Sequence, residues 1–178
     1  MFLVQLQDVK PNNDKSIKVF YPKPKLHITG PTSIDDFLRV TEYSRKLLST
    51  VRGGDEAYRM ESFKINMINT NFSLGVGSDF KVHMGNMHQL LLRTRINNET
   101  LDASYDTRLY AGIKVRYTCK DWSRSCIMIF RSGSILITGP GGRQVCESHK
   151  FITDLVLNNM DEVRLKKEDI FDGSSDDA

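Results

Sequence analysis

Residues 127–142 read "IMIFRSGSILITGPGG", and residues 17–32 read "IKVFYPKPKLHITGPT". Each stretch has an apolar segment ending in phenylalanine, a turn, and a second apolar segment ending in Ile-Thr-Gly-Pro. Apolar segments of this kind between turn residues are typical of a β-hairpin. The equivalent phenylalanines, Phe20 and Phe130, lie 110 positions apart. The recurrence indicates an internal repeat rather than two coincidental hairpins.

The sequence around each hairpin extends the repeat. In the first half, "FLVQLQDV", "SIKVF" and "LHIT" predict three strands. A helix follows, with Thr32 or Ser33 as its cap and with Asp35 and Asp36 in its first turn. In the second half, "LYAGIKVRYTC", "SCIMIF" and "SILITG" predict three strands, and "RQVCESHKFITDLVLNNM" predicts a helix. The order strand, strand, strand, helix therefore occurs twice.

The segment between the two copies is less regular. "SFKINMINTNFSL" predicts an extended run, "NMHQLLLRTR" a short helix and "RINNETLDASYDTR" a loop. Two copies of a meander followed by a helix predict an α+β fold with pseudo-two-fold repeats, whose antiparallel sheet carries the long helices on one face. We expect residues 1–50 to form the rear part of a first repeat, 51–61 a linker, 62–160 a second repeat, and 161–178 an acidic flexible tail.

The charge distribution suits a polyanionic partner. The chain of 178 residues has a formal net charge of +3, but its last 18 residues hold seven acidic and three basic side chains. The rest of the chain carries a net charge of +7, as a domain that binds nucleic acid would. No apolar stretch reaches the roughly 18 residues of a membrane span, so we expect no membrane association. The three cysteines lack a C-x-x-C spacing, which favours unpaired thiols in a reducing compartment.

An enzymatic function finds little support in the motifs. Gly139-Pro140-Gly141-Gly142 precedes a helix, where a phosphate could bind, but Arg143 follows and no Gly-Lys-Ser/Thr completes a P-loop. The histidines and cysteines do not have the spacing of one metal site. No candidate nucleophile has an evident base. We therefore expect no catalytic residues, no metal and no cofactor.

The repeated phrase resembles a known family. "MIFRSGSILITG" is similar to the closing strands of a repeat of the TATA-box-binding protein (TBP) family, "SFKINM" to its opening strand, and "YDTRLYAGIKVR" to its stirrup. The first phrase, with "MFLVQLQ" before it, resembles the rear portion of the first repeat. The resemblance implies a saddle-shaped sheet that binds the DNA minor groove with its concave face and other transcription factors with its helices and stirrups. The front of the first repeat has no counterpart before Met1, which predicts either a fragment or a reduced half-saddle.

The resemblance also assigns roles to individual residues. In each repeat two aromatic side chains push between base steps, threonines reach the central bases, and an apolar floor and an arginine complete the surface. The positions that match in this chain are Phe2 with Phe20 and Tyr110 with Phe130 as wedges, Thr29 and Thr138, Leu136 on the floor, Arg116 toward phosphate, and Asn66 in the opening strand. A one-residue slip at Asn66 is left open. Asp106, Arg108 and Leu109 match the stirrup that receives a transcription-factor-IIB-like protein.

Departures from the family keep a second function open. Tyr110 stands where the family has phenylalanine, and Arg108 reverses one charge of the stirrup's acidic pair. We expect a transcription initiation factor that binds AT-rich double-stranded DNA, with the IIB-like protein or RNA polymerase subunits as partners. Its location would be the nucleus, or a cytoplasmic replication site if the chain comes from a large DNA virus. The alternatives are an interaction scaffold that offers the helices at 32–50 and 143–158 and the acidic tail to its partners, and a domain appended to a nucleic-acid enzyme.

Overall fold

The computed structural model describes residues 2–6, 15–20, 25–52, 58–75, 80–96 and 99–165. The chain forms two compact units, Met1–Phe63 and Lys64–Ala178. Both contain an antiparallel sheet and α-helices. The predicted α+β class is therefore confirmed.

The first unit is a three-stranded meander followed by a helix, as predicted. Its elements are β1 (Phe2–Leu6), β2 (Lys15–Phe20), β3 (Lys25–Thr29) and α1 (Ile34–Arg52). The strands lie in the order β1-β2-β3, and each neighbouring pair is antiparallel. Of the two candidate caps, Ser33 accepts the backbone N–H of Asp36 at 3.1 Å, which satisfies one of the free N–H groups at the start of α1.

A buried ion pair joins β2 to α1 in this unit. Lys15 Nζ lies 3.4 Å from Asp36 Oδ2, and both side chains are almost fully buried. Asp36 also accepts the backbone N–H of Thr32 at 3.1 Å. That backbone hydrogen bond, followed by Lys15, lowers the pKa of Asp36. The ion pair thus adds a polar contact between helix and sheet beside the small apolar core around Ile17, Val19 and Val40.

The second unit contains the larger sheet. Its elements are β4 (Ile68–Ser73), α2 (Met84–Arg93), β5 (Arg95–Ile96), β6 (Glu99–Thr100), β7 (Asp102–Ser104), β8 (Ile113–Thr118), β9 (Arg124–Ile129), β10 (Ser134–Gly139), α3 (Gly142–Asn158) and α4 (Met160–Val163). The order of the five-stranded sheet is β4-β10-β9-β8-β7, with antiparallel neighbours, and β5 pairs with β6 in a separate ribbon.

One face of the five-stranded sheet is buried. Alternate residues of β8, β9 and β10 are buried, and they pack with the apolar faces of α2 and α3. The central side chains of this core are Ile113, Val115, Ile127, Ile129, Ile135, Ile137, Ile152 and Val156. Because successive residues of a strand point to opposite faces, the intervening residues form a second face that none of these helices covers.

The two units repeat one hydrogen-bond register. The equivalent pairs are Ile17–Ile28 and Val19–Leu26 in the first unit, and Ile127–Ile137 and Ile129–Ile135 in the second. In both units the paired strands are followed by a long helix, α1 or α3. The similarity of the two sequence phrases therefore corresponds to the same strand pairing, with the equivalent residues packed against the core of each unit.

Three sequence-based boundaries differ from the structure. The opening strand begins at Ile68 rather than at Ser62. The predicted loop at residues 95–108 contains three short strands, and β7 forms an edge of the sheet although its polar, three-residue sequence has no strand pattern. The tail was predicted from residue 161, yet Val163 is fully buried and Arg164 forms a bridge with Val82. Residues 166–178 lie outside the described residues.

Candidate nucleic-acid interface

The face of the five-stranded sheet opposite to α2 and α3 holds three of the predicted DNA-binding residues, Arg116, Leu136 and Thr138. We call it the open face. Its members alternate with the buried core residues and come from five neighbouring strands; they are Asn69 and Asn71 of β4, Asp102 and Ser104 of β7, Lys114 and Arg116 of β8, Cys126 and Met128 of β9, and Leu136 and Thr138 of β10. Arg116, Leu136 and Thr138 thus share one surface.

Strand pairing arranges this surface in two rows across the sheet. One row runs Ser104, Lys114, Met128, Leu136, Asn71, and the adjacent row runs Asp102, Arg116, Cys126, Thr138, Asn69. Each row therefore has a charged residue on β8 and an asparagine on β4. The half-buried side chains of Met128 and Leu136 give the middle of the face an apolar floor.

The asparagines of the opening strand β4 are Asn69 and Asn71. Asn66 is exposed and lies before β4 begins, so its predicted position in the opening strand was wrong. Asn69 lies opposite Thr138, and the Thr138 Oγ1 hydroxyl donates a hydrogen bond to Asn69 Oδ1 at 2.8 Å. The sequence "INTNFS" itself could have located the strand. Ile68 and Phe72 lie on one face, so the exposed Asn69 and Asn71 lie on the other.

Two aromatic rings lie at one end of the open face. Tyr110 precedes β8 and Phe130 follows β9, and their ring centroids are 5.8 Å apart in an edge-to-face arrangement. The Tyr110 hydroxyl donates to Met128 Sδ at 3.4 Å. Gly112 makes room for this pair, because a Cβ atom there would lie 3.1 Å from the Phe130 ring and 3.0 Å from the Ile129 carbonyl oxygen. Tyr110 and Phe130 are thus brought together as the predicted wedge pair.

The register does not support Phe2 as the equivalent of Tyr110. Phe2 pairs with Val19, whereas the residue that pairs with Ile129, the equivalent of Val19, is Ile113. Phe2 therefore occupies the register position of Ile113, three residues after Tyr110. The prediction failed because it matched the aromatic residues by type, while the pairing of β1 with β2 fixes the alignment.

The first unit has its own uncovered row. Ser16, Lys18 and Phe20 alternate along β2 with buried residues, and Phe20 is exposed. Thr29 pairs with Ser16, and both lie on the same pleat of the sheet. Phe20 and Thr29, predicted as the first-repeat wedge and base-contacting threonine, are therefore both on the face opposite to Ile17 and Val19.

Basic side chains and one carboxylate set the charge of the open face. Arg116 is paired with Asp102 at 2.9 Å, and both side chains are more than half exposed. Lys114 and Arg124 are also exposed. Burial raises the pKa of the Cys126 thiol despite the opposing effect of Lys114 and Arg116, so Cys126 is present as a neutral thiol. An exposed ion pair contributes little stability, and Arg116 is therefore available for exchange with another anion.

The predicted stirrup is a tight turn. The Asp106 carbonyl oxygen accepts the N–H groups of Leu109 and Tyr110 at 3.0 and 2.9 Å. The Asp106 carboxylate is 2.9 Å from Arg108 NH2, and the hydrogen bonds from the Arg108 side chain and backbone lower the pKa of Asp106. Leu109 is 83% exposed. Asp106 and Arg108 thus neutralise each other, and Leu109 is the most exposed apolar residue of the turn.

Other chemistry is not evident in the part of the chain that the structure describes. Among these residues no group of three or more histidine, cysteine, aspartate or glutamate side chains is placed to hold a metal ion. None of the described helices has both the length and the apolar character needed to span a membrane. Compared with known proteins, the sequence matches no protein-family model and no curated protein.

Proposed function

We propose that the chain is a TBP-like transcription initiation factor that binds double-stranded DNA in the minor groove through the open face. The observation that carries the proposal is the position of the Tyr110–Phe130 pair at the end of a sheet face with an apolar floor, opposite to the face on which α2 and α3 pack. Proteins that bind the minor groove use broad surfaces of this composition and insert apolar side chains between base steps.

Each part of the open face has a distinct task in this proposal. The minor groove presents mainly the acceptors N3 of adenine and O2 of thymine. The Asn69 amide and the Thr138 hydroxyl supply donors to such acceptors, while Met128 and Leu136 contact the sugar edges and the floor of the groove. Phe130 enters a base step and unstacks it, which costs a few kcal/mol and is offset by the added contact area. AT-rich DNA is favoured because G·C pairs place an amino group in the groove.

Phosphate contacts come from the basic residues of the same face. Lys114 and Arg124 are exposed, and Arg116 exchanges its partner Asp102 for a phosphate oxygen. Each phosphate contact releases condensed counterions, so binding weakens as salt rises. The stirrup, with its exposed Leu109, is the surface proposed for the IIB-like protein or a polymerase subunit.

A titration of labelled duplexes tests the proposal. The binding of an AT-rich and a GC-rich duplex is measured by fluorescence anisotropy at two salt concentrations, for the wild type, Phe130→Ala and Tyr110→Ala. Burial of a phenylalanine side chain is worth about 1.5–3 kcal/mol, so we expect Phe130→Ala to weaken AT-rich binding by about tenfold or more. Leu157→Ala, which changes an exposed leucine of α3, is the matched control and should bind as the wild type does.

The outcomes separate this proposal from its alternatives. Minor-groove insertion is supported if the wild type prefers the AT-rich duplex and Phe130→Ala loses that preference. Binding that is indifferent to base composition and to both substitutions would reduce the open face to an electrostatic surface. Absence of binding at low salt would overturn the proposal.

A protein-interaction scaffold is the second candidate, because α1 carries an exposed apolar row. Leu38, Tyr43 and Leu47 are all more than a third exposed, and Arg39, Glu42 and Lys46 lie beside them around a shallow groove. Apolar residues with a charged rim are common at protein interfaces. Under this candidate, substitutions on α1 impair assembly with a transcription complex, while substitutions on the open face do not.

A further inference from the structure

The turn between β8 and β9 displays the only tryptophan of the chain. Trp122 is 81% exposed and has a backbone φ of 63°. A bulky residue in this left-handed region is strained, and glycine or asparagine would fit there at lower cost. A strained aromatic side chain in solvent does nothing for the core, so its position indicates a role in binding.

Hydrogen bonds hold this turn in one conformation. The Trp122 N–H donates to the Cys119 carbonyl oxygen at 2.9 Å, and the Cys119 N–H donates to the Ser123 carbonyl oxygen at 2.8 Å. The Asp121 carboxylate accepts the Ser123 N–H at 3.1 Å and the Gln144 side-chain amide at 2.6 Å. The Ser123 Oγ hydroxyl also donates to Asp121 Oδ1; this bond first, then those from the Gln144 amide and the Ser123 N–H, lowers the pKa of Asp121. The Asp121 carboxylate therefore accepts hydrogen bonds within the turn. The turn holds the Trp122 indole ring in an exposed position before any ligand binds.

The surroundings of Trp122 contain three basic side chains, Lys120, Arg124 and Arg143, and two carboxylates, Asp121 and Glu147, of which Glu147 accepts the Lys120 backbone N–H at 2.8 Å. Lys120 and Arg124 flank it in the sequence and are exposed, and Arg143 at the start of α3 acts electrostatically on Asp121. Among the described residues, neither this turn nor the first turns of α3 contain another large apolar side chain that is exposed, so Trp122 is not part of an apolar patch formed by these segments. Tryptophan and arginine are also common at protein-binding hot spots, but those cluster in packed, desolvated pockets. An exposed aromatic ring beside basic side chains is the arrangement that stacks a base and binds its phosphates.

We propose that the Trp122 turn is a binding site for single-stranded nucleic acid. A base stacks on the indole ring of Trp122, and Lys120 and Arg124 bind the adjacent phosphates. This site lies at the opposite end of the β8–β9 hairpin from Tyr110 and Phe130, since those residues precede β8 and follow β9. Trp122 and Lys120 lie outside the proposed minor-groove surface, while Arg124 at the start of β9 belongs to both sites; the proposal does not depend on the minor-groove function.

The intrinsic fluorescence of Trp122 reports this site directly. A short single-stranded oligothymidylate is titrated at low salt, and stacking is expected to quench the emission. Binding of the same labelled oligonucleotide is then measured by anisotropy for Trp122→Asn and Trp122→Tyr. Asparagine tolerates positive φ, so Trp122→Asn keeps the turn while losing the ring, and we expect affinity to fall by at least about fivefold. Trp122→Tyr should retain most of the affinity.

Charge and specificity controls complete the experiment. The double variant Lys120→Ala/Arg124→Ala should make the slope of log affinity against log salt shallower by about 1.4, while Lys150→Ala on α3 should leave it unchanged. Phe130→Ala should bind the oligonucleotide as the wild type does, even if the minor-groove proposal fails. Equal oligonucleotide binding by Trp122→Asn and the wild type would overturn the proposal. So would absence of quenching, or an equal response to polyglutamate, which would indicate an acidic protein segment as the ligand.

Discussion

Thr138 donates a hydrogen bond from Oγ1 to the Oδ1 atom of Asn69 at 2.8 Å, which joins β10 to β4 on the open face. The bond fixes the orientation of the Asn69 amide. Its oxygen accepts from Thr138, so its NH2 group is not used in this contact. On the proposed function, Asn69→Ala weakens binding of the AT-rich duplex by about fivefold to tenfold, since one hydrogen bond and its orientation are lost. Asn66→Ala, which changes an exposed residue outside the sheet, should have little effect. Equal losses for the two variants would contradict the assignment of Asn69.

Removal of the carboxylate at Asp102 is expected to strengthen DNA binding. Asp102 holds Arg116 at 2.9 Å on the open face, and an exposed pair of this kind is worth up to about 1 kcal/mol. Asp102→Asn releases the guanidinium and removes a negative charge from the phosphate-binding surface, so affinity should rise about twofold to fivefold. Asp154→Asn, on the exposed side of α3, changes the net charge equally and is the control in the same anisotropy assay. If Asp154→Asn gave the same gain, net charge alone would explain the effect.

Gly112 provides a steric test of the aromatic pair. A Cβ atom at this position meets the Phe130 ring at 3.1 Å and backbone at 3.0 Å. Gly112→Ala should therefore displace Phe130 and weaken duplex binding severalfold. The protein should remain folded, as a thermal melt would show. Gly142→Ala introduces the same methyl group where no atom lies within 4 Å, so its binding should match the wild type. Unchanged binding in Gly112→Ala would show that the position of Phe130 is not critical.

The buried Asp36 should make the stability of the first unit depend on pH. The folded state lowers the pKa of Asp36, first through the Thr32 N–H and then through Lys15, so the folded state binds fewer protons than the unfolded chain. Its contribution is complete above the ordinary pKa of 3.8 and is lost as pH falls through the lower folded value. Asp36→Asn should lower the free energy of unfolding by about 3 kcal/mol at neutral pH and show a weaker acid dependence in denaturant unfolding. Asp35→Asn, on the exposed side of the same helical turn, should keep both properties.

Val163 tests whether the fold extends past α3. Its side chain is fully buried, and its carbonyl oxygen accepts the His83 N–H at 2.8 Å at the start of α2. Val163→Ala should lower the free energy of unfolding by about 2 kcal/mol. Leu157→Ala removes more atoms from an exposed position and should cost far less. A small effect at Val163 would return residues 161–165 to the tail that the sequence predicted.

The sequence predicted the repeated elements well. Both hairpins and both long helices are present, because apolar alternation between turn residues is a local signal that each segment carries by itself. Leu136, Thr138 and Arg116 were predicted to share a surface, and strand pairing places them on one face. The prediction failed where the local signal was weak. Asn66 and Phe2 were assigned by residue type, and their positions depended on register with β10 and β2.

Local patterning thus determined the α+β class, the order of the main strands and helices, and which residues of each strand face a core. Those properties follow from a side-chain period of two in strands and 3.6 in helices. Tertiary structure alone decided the rest. It set Asn69 opposite Thr138, paired Asp102 with Arg116, recruited the polar β7 to the sheet edge, and buried Val163. These relationships join residues far apart in the chain, and the physical reason is that register and long-range packing are chosen by the whole core rather than by any one segment.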